Sequence, residues 1–444
     1  MYLVYSFLIV VFGVIASPYL AYQAIRYKKY VGSLGQRLGY LPVSFNLDGE
    51  ESIWIHAVSV GEVLTVRALV PDLRRSYPKL RIFLSTTTLA GQQVARRNVH
   101  DVDAVFYFPF DFAFIIRRTL RLVKPRLFVM METEIWPNLL RQCKREGVAT
   151  IMVNGRISSR SFGRYRLIRS LFRKVLADID RFCMQSEESA RRLIELGANP
   201  AHVSVTGSLK FDSMETPRAI DGRGQNRVLR YFRISSGRPV IIAGSTLDGE
   251  EEAVLQAFRR VKSSVANPLL VLAPRHPERF GEVAHLARNQ AFVTIRRTDL
   301  PIDSEPRADV VVLDTIGELA HLYQVATAVF VGGSLVDAGG HNVLEPAVFG
   351  KPIVFGPYMQ NFKEIADAFI KHDAAIQVHT PRELEDALLA LVTDPIRRAR
   401  LGAAARAIVE SNRGAKDKTM RVILQTLPPR DGSKGVVRPF RLVH

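Results

Sequence analysis

The feature that most restricts the fold is an alternation: short β-branched or aromatic runs recur along the chain, and longer amphipathic runs separate them. In the first half the short runs are Ser52 to Val58, Arg81 to Ser85, Ala104 to Phe108, Leu127 to Met131 and Ala149 to Val153. Val63 to Tyr77 and Phe112 to Val123 read as helices between them. Strands taking turns with helices predict a parallel sheet covered on both faces, because each parallel connection needs a long crossover. Between Phe211 and Gly237 the pattern lapses into DSMETPRAIDGRGQN, polar and rich in turn formers. It restarts with Pro239 to Ala243, Leu269 to Ala273, Val310 to Asp314, Ala328 to Val331 and Ile353 to Phe355, and Pro381 to Ser411 reads as helical. A chain of 444 residues exceeds one core. The expected class is therefore α/β: two doubly wound domains over 26–212 and 237–425, a linker over 213–236 and a basic tail over 426–444.

The N-terminus follows a different pattern. No charged side chain occurs from Met1 to Ile25, and the span is almost wholly apolar. About 20 such residues suffice to cross a bilayer. The basic cluster Arg26, Lys28, Lys29 and Arg37 comes after the apolar run, whereas a secretory signal peptide carries its charge before it. Residues 1–25 are thus expected to form a membrane anchor that leaves the rest of the chain in the cytoplasm. Two other readings stand beside it: a buried core helix, and a helix lying in the interface with Tyr2, Tyr5, Tyr19 and Tyr22 at the headgroups. The formal charge of +18 favours anionic partners such as acidic membrane, nucleic acid or a phosphorylated substrate. Two cysteines, Cys143 and Cys183, make no disulfide framework or zinc motif and read as reduced packing residues.

In open parallel sheets ligands bind beyond the carboxyl ends of the strands, so residues just after the strands are the candidates for chemistry. The stretch GGSLVDAGGHNVLEP, Gly332 to Pro346, follows one strand and leads into a helix. Four glycines there are expected to let backbone amides approach a phosphate or sugar, with Asn342 and Glu345 placed to bond a ligand. The same Asn342 and Glu345 also resemble a capping box. In PRHPER, Arg275 and His276 read equally as a guanidinium fork placed to meet a phosphate and as a charged loop tip. In TIGEL, a helix start at Gly317 and Glu318 offers free amides, while Thr315 with Glu318 reads equally as a cap. In SVGEV, Glu62 is either a general base or a favourable first-turn acid. ETEIWPN with Glu132 and Glu134, NGRIS with Asn154, and GSLKFD with Lys210 each follow a strand end. No GxxxxGK[ST], strand-to-helix GxGxxG, HExxH or paired CxxC occurs, so neither a Walker loop nor a catalytic metal is supported. No basic stripe interleaved with aromatics argues for nucleic acid.

Taken in order, SVGE, ETEIWPN, NGRIS, GSLKFD, AGST with the following GEE, PRHPERF, GEL and GGSLVDAGGHNVLEPAVFGKP resemble the motifs of 3-deoxy-D-manno-octulosonic acid (Kdo) transferases. The likeness covers nearly the whole chain and departs at Ser208, where Asn is common. It implies a glycosyltransferase B fold, two Rossmann-like domains facing a cleft plus an N-terminal anchor helix. It implies inverting transfer of Kdo from CMP-Kdo to a lipid A precursor, lipid IV(A), in lipopolysaccharide biosynthesis. The family's general base falls on Glu62, and its charge-stabilising positions fall on Glu132 and Lys210. Its CMP contacts fall on Pro274 and Arg275, on Ile316, Gly317 and Glu318, and on Asn342, Val343, Leu344 and Glu345. The resemblance implies no metal or cofactor beyond the donor, and no nucleic acid. It places the protein on the cytoplasmic side of the inner membrane, against an anionic surface. Two rival expectations are a sugar-nucleotide epimerase of the same architecture and a membrane-tethered nucleic-acid-binding protein.

Overall fold

Both sheets are wholly parallel in the computed structural model, which describes residues 2–27, 31–213, 230–235 and 237–429. The chain divides into two compact units, Met1–Ser213 with Arg413–His444, and Met214–Asn412. The expected linker lies almost entirely, over 214–229, outside the described residues. So do Lys28, Lys29 and the tail from 430 onward.

The first unit carries β1 (Ser52–His56), β2 (Arg81–Thr86), β3 (Ala104–Tyr107), β4 (Pro125–Met131), β5 (Ala149–Gly155), β6 (Arg181–Met184) and β7 (Val203–Val205). They lie in the order β3-β2-β1-β4-β5-β6-β7. Every residue of β1 is buried, as expected where helices cover both faces of a parallel sheet. Alternate side chains feed two cores. Trp54, Phe83, Phe128 and Phe182 pack on one side, and Ile53, Ile55, Leu84 and Val129 on the other.

The run expected as one helix over Val63 to Tyr77 is two, Val60–Val66 and Val70–Ser76. Pro71 stands in the first turn of the second, where its fixed φ starts a helix but cannot continue one. The helix Ala415–Thr426, expected largely within the second domain, instead sends Met420 and Ile423 into the core of the first unit. The carboxylate of Asp212 accepts from Gly414 N and Lys416 N at 2.9 Å each, tying that returning helix down. An amphipathic pattern marks the buried stripe but not the sheet that covers it.

The second unit holds β8 (Val240–Thr246), β9 (Leu269–Pro274), β10 (Thr294–Arg296), β11 (Val310–Val312), β12 (Ala328–Val331), β13 (Ile353–Phe355) and β14 (Ile376–Gln377). Their order is β10-β11-β9-β8-β12-β13-β14. The strand order reverses between β1 and β4 in one sheet and between β8 and β12 in the other, the positions where such folds bind ligands.

The N-terminal segment is a helix, Tyr2–Tyr27. Among the described residues, however, no helix is long and apolar enough to cross a membrane. The helix begins as part of the first unit, because its polar groups find partners there. Tyr5 Oη donates to Asp111 Oδ2 at 3.0 Å and Ser6 Oγ to Asn138 Oδ1 at 3.1 Å, while the Tyr2 hydroxyl donates to Asp178. Phe7, Phe12 and Ile15 remain exposed.

Candidate functional site

Glu62 sits in the first turn of the helix that follows β1, and Ser59 is the N-cap. Its carboxylate accepts from Val58 N at 2.8 Å and from Ser59 Oγ at 2.9 Å. Ser59 Oγ accepts in turn from Glu62 N at 3.5 Å, so the first-turn acid read from the sequence is tied into the helix cap. Only 9% of Glu62 is exposed, and its pKa is raised, chiefly by burial and then by the charge of Glu132. Both readings of Glu62 meet in one carboxylate: it caps the helix, and burial makes it a stronger proton acceptor than an ordinary glutamate.

Glu132 follows β4, the neighbour of β1, with a left-handed backbone at φ 53°. Lys210, on the short helix Leu209–Asp212, brings its Nζ to 4.0 Å from Glu132 Oε1. That helix packs against the helix carrying Glu62. Glu134 completes the group: its pKa is pushed up to about 7, first by burial and then by the charge of Glu62, while Trp136 Nε1 donates to its Oε2 at 3.1 Å. Three loops thus bring Glu62, Glu132, Glu134 and Lys210 together at the reversal point of the first sheet. Near them His56, fully buried and stacked on Phe108 at 3.8 Å, is held neutral, because burial lowers its pKa to about 3.

In the second unit the glycine-rich stretch has another use than the one expected. Glu250, wholly buried, accepts from Gly333 N at 2.7 Å, Ser334 N at 2.9 Å, Leu335 N at 2.9 Å and Leu247 N at 2.9 Å. The expectation that this turn offers its amides to a phosphate is corrected for 333–335: an internal carboxylate already occupies them. The glycines answer to the protein's own segments as well. A Cβ at Gly332 would strike the Ser245 backbone, and one at Gly340 would strike the Met359 side chain and the Tyr358 carbonyl.

Farther along the same stretch, Asn342 Oδ1 accepts from Leu344 N at 3.1 Å and Asn342 Nδ2 donates to Glu345 Oε1 at 3.2 Å. Val343 and Leu344 are fully buried, backbone included, so at these two positions the described chain meets its own interior. The Glu345 pKa is raised by burial, and the charge of Arg275 works against that rise. Pro274 is buried at the end of β9, and exposed Arg275 begins the loop, its amide bonded to Thr246 O at 2.9 Å. His341 lies within reach of the same cation, and its pKa falls to about 4 through burial and then the charge of Arg275. Arg275, His341 and Glu345 are thereby brought together.

The turn after β11 exposes Ile316 and Gly317, while Arg297 and Thr315 Oγ1 hold Glu318 at 2.8 Å each. The helix expected to open at Gly317 starts only at Leu319 and runs four residues. Glu250 and Arg297 were not singled out from sequence. The first stood within the GEE that follows AGST, with no role read for it, and nothing local marked the second. Among the described residues, no cluster of three or more His, Cys, Asp or Glu side chains is arranged to hold a metal.

Residues 32–213 match the family model for 3-deoxy-D-manno-octulosonic-acid transferase. A 3-deoxy-D-manno-octulosonic acid transferase of Haemophilus influenzae is 34% identical over 90% of this chain and 92% of its own length. One of Bordetella pertussis is also 34% identical, over 83% of this chain and 86% of its own. Among solved structures, a UDP-GlcNAc 2-epimerase from Neisseria meningitidis aligns with a TM-score of 0.59 over 84% of this chain and 100% of its own. Its identity is 11%, so the likeness concerns the two-domain fold alone.

Proposed function

The chain belongs to the 3-deoxy-D-manno-octulosonic acid transferase family, and from that premise we propose that it moves Kdo from CMP-Kdo onto the hydroxyl of a lipid A precursor, lipid IV(A), with inversion. The observation that carries the reading is the meeting of Glu62, Glu132 and Lys210, from three separate loops, where the strand order of the first sheet reverses. Glu62 takes the proton of the acceptor hydroxyl, whose oxygen then bonds to the anomeric carbon of Kdo. The bond from that carbon to the phosphate breaks, and its electron pair leaves with CMP. Lys210, steadied by Glu132, stabilises charge that develops at the reacting centre. Acceptor activation belongs to the first domain and donor binding to the second. There Arg275 offsets charge on the departing phosphate, Ile316, Gly317 and Glu318 line the base, and Asn342 to Glu345 hold the nucleotide's sugar.

Membrane association fits the acceptor. The exposed Phe7, Phe12 and Ile15 lie against the cytoplasmic face of the inner membrane, and the +18 chain is drawn to its anionic surface. Incubating the protein with CMP-Kdo and lipid IV(A) and weighing the product tests the reading. A mass gain of one or more Kdo units is expected, and an unmodified lipid with intact protein would reject this acceptor. A nucleotide sugar epimerised without transfer would reject the whole reading.

A further inference from the structure

We propose that Asn154 is a positioning residue for this reaction: its side chain holds the start of the helix Leu209–Asp212 and so sets where Lys210 stands against Glu132. The inference rests on the reading of Lys210 as a charge-stabilising group. Asn154 lies near the end of β5, fully buried, with φ 58°. Asparagine is among the few residues besides glycine that tolerate this left-handed backbone, which remains costlier than an ordinary strand conformation. The kink interrupts the pairing of β5 with β6 between Met152 and Gly155. Such strain persists only where the surroundings impose it.

Here the surroundings are the catalytic group itself. Asn154 Oδ1 accepts from Leu209 N at 3.0 Å, the first amide of the Lys210 helix, and Ser208 Oγ accepts from Lys210 N at 3.4 Å. A four-residue helix has almost no stability of its own, so these caps decide where it starts. The preceding residue, Val153, accepts from Glu132 N through its carbonyl at 2.9 Å. Two consecutive residues of β5 therefore hold the two partners of the Glu132–Lys210 pair. The strand end is itself bolted to Gln185, whose Nε2 donates to Asn154 O at 2.8 Å and whose backbone amide donates to Gly155 O at 2.9 Å. Leu209 and Phe211 bury on either side of Lys210, and Asp212 binds the returning chain at Gly414 and Lys416. With Leu209 and Phe211 buried, the backbone at Lys210 is held in place, and the Asn154 bond to Leu209 N sets where that backbone starts. The Nδ2 of Asn154 has no acceptor among the described residues, so aspartate would keep every bond this side chain makes.

The test is a double-mutant cycle on the full chain with CMP-Kdo and lipid acceptor. Asn154→Gly relieves the backbone while removing the acceptor; Asn154→Asp keeps the acceptor. Asn154→Gly is expected to melt near the parent, to lose about tenfold to a hundredfold in kcat, and to keep its KM for CMP-Kdo. Asn154→Asp should restore most of the turnover. In a Lys210→Ala background Asn154→Gly should cost nothing further. A folded Asn154→Gly with parental kcat, or a loss that multiplies with that of Lys210→Ala, overturns the inference. Failure of Asn154→Gly to fold assigns Asn154 to the fold at large and likewise overturns it. Near-normal turnover of Lys210→Ala alone refutes the role of Lys210 and takes the inference with it, a result seen without touching Asn154.

Discussion

Glu62 and Glu250 occupy the same place in their two sheets: each is an acid in the first turn of the helix that follows the first strand. Their surroundings separate them. Glu62 takes two local hydrogen bonds and faces a second carboxylate, so burial leaves its charge poorly compensated. Glu250 takes four backbone amides, three from a loop more than 80 residues away, and is completely buried. A carboxylate saturated by fixed donors is a clamp, whereas one left partly unsatisfied beside a like charge is ready to take a proton. Position in the fold supplies the acid, and hydrogen-bond saturation decides its use.

Breaking the comparison starts with Glu62→Gln, which removes the proton acceptor yet keeps a side chain suited to the capping box. Turnover should fall about a hundredfold to ten-thousandfold, with CMP affinity and melting temperature close to the parent. Turnover within a few-fold of the parent would hand Glu62 back to the cap. The matching change in the second domain, Glu250→Gln, should reverse the balance. An amide cannot satisfy four donors, and buried amides left unpaired cost about 1 to 3 kcal/mol each. Denaturant melts should show a loss on the order of 3 kcal/mol, together with weaker CMP binding as the glycine-rich loop loosens. A stability equal to the parent's would mean that those amides find other partners.

The comparison sharpens through pH. The Glu134 carboxyl, pushed up to about 7 from the ordinary 4.5, stays protonated in the folded chain where the unfolded chain has released its proton. Stability therefore falls as pH rises between these values and levels off above about 7, the reverse of an ion-paired acid. Glu134→Gln removes this loss. Relative to the parent it should gain on the order of 2 kcal/mol between pH 5 and pH 8, read from melts at the two values. A gain that does not depend on pH would show that Glu134 carries no raised pKa. The smallest effect concerns Glu345→Ala. If Glu345 serves the nucleotide, CMP affinity falls; if it only caps its short helix, stability drops by roughly 1 kcal/mol with affinity unchanged. Calorimetric titration beside a melting curve separates the two.

Much of this was legible in the residue order. The strands from β1 to β5 and from β8 to β13 stood out, β10 apart, because a buried parallel strand must be a short apolar run and its crossover a long amphipathic one, and both are local patterns. β6 was not read, nor were β7, β10 and β14, which lie at sheet edges, are only partly buried and lack the unbroken apolar run that marks the equally short β11 and β13. Glu62, Glu132 and Lys210 were candidates because each followed a strand end, and the ordered motifs pointed to the family. What residue order left open was partnership. Capping and ligand binding ask for the same residues at the same spacing, so the four glycines from 332 onward read as a phosphate cradle. Only the packed structure assigned the 333–335 amides to Glu250 and the Gly340 contact to Met359. Likewise the Ala415–Thr426 helix showed an apolar stripe, and tertiary packing chose the first sheet to cover it. Periodicity is fixed by neighbours a few residues away and can be read along the chain. Which donor meets which buried carboxylate depends on groups that folding brings together across 80 or 200 residues, where desolvation makes every unpaired choice costly.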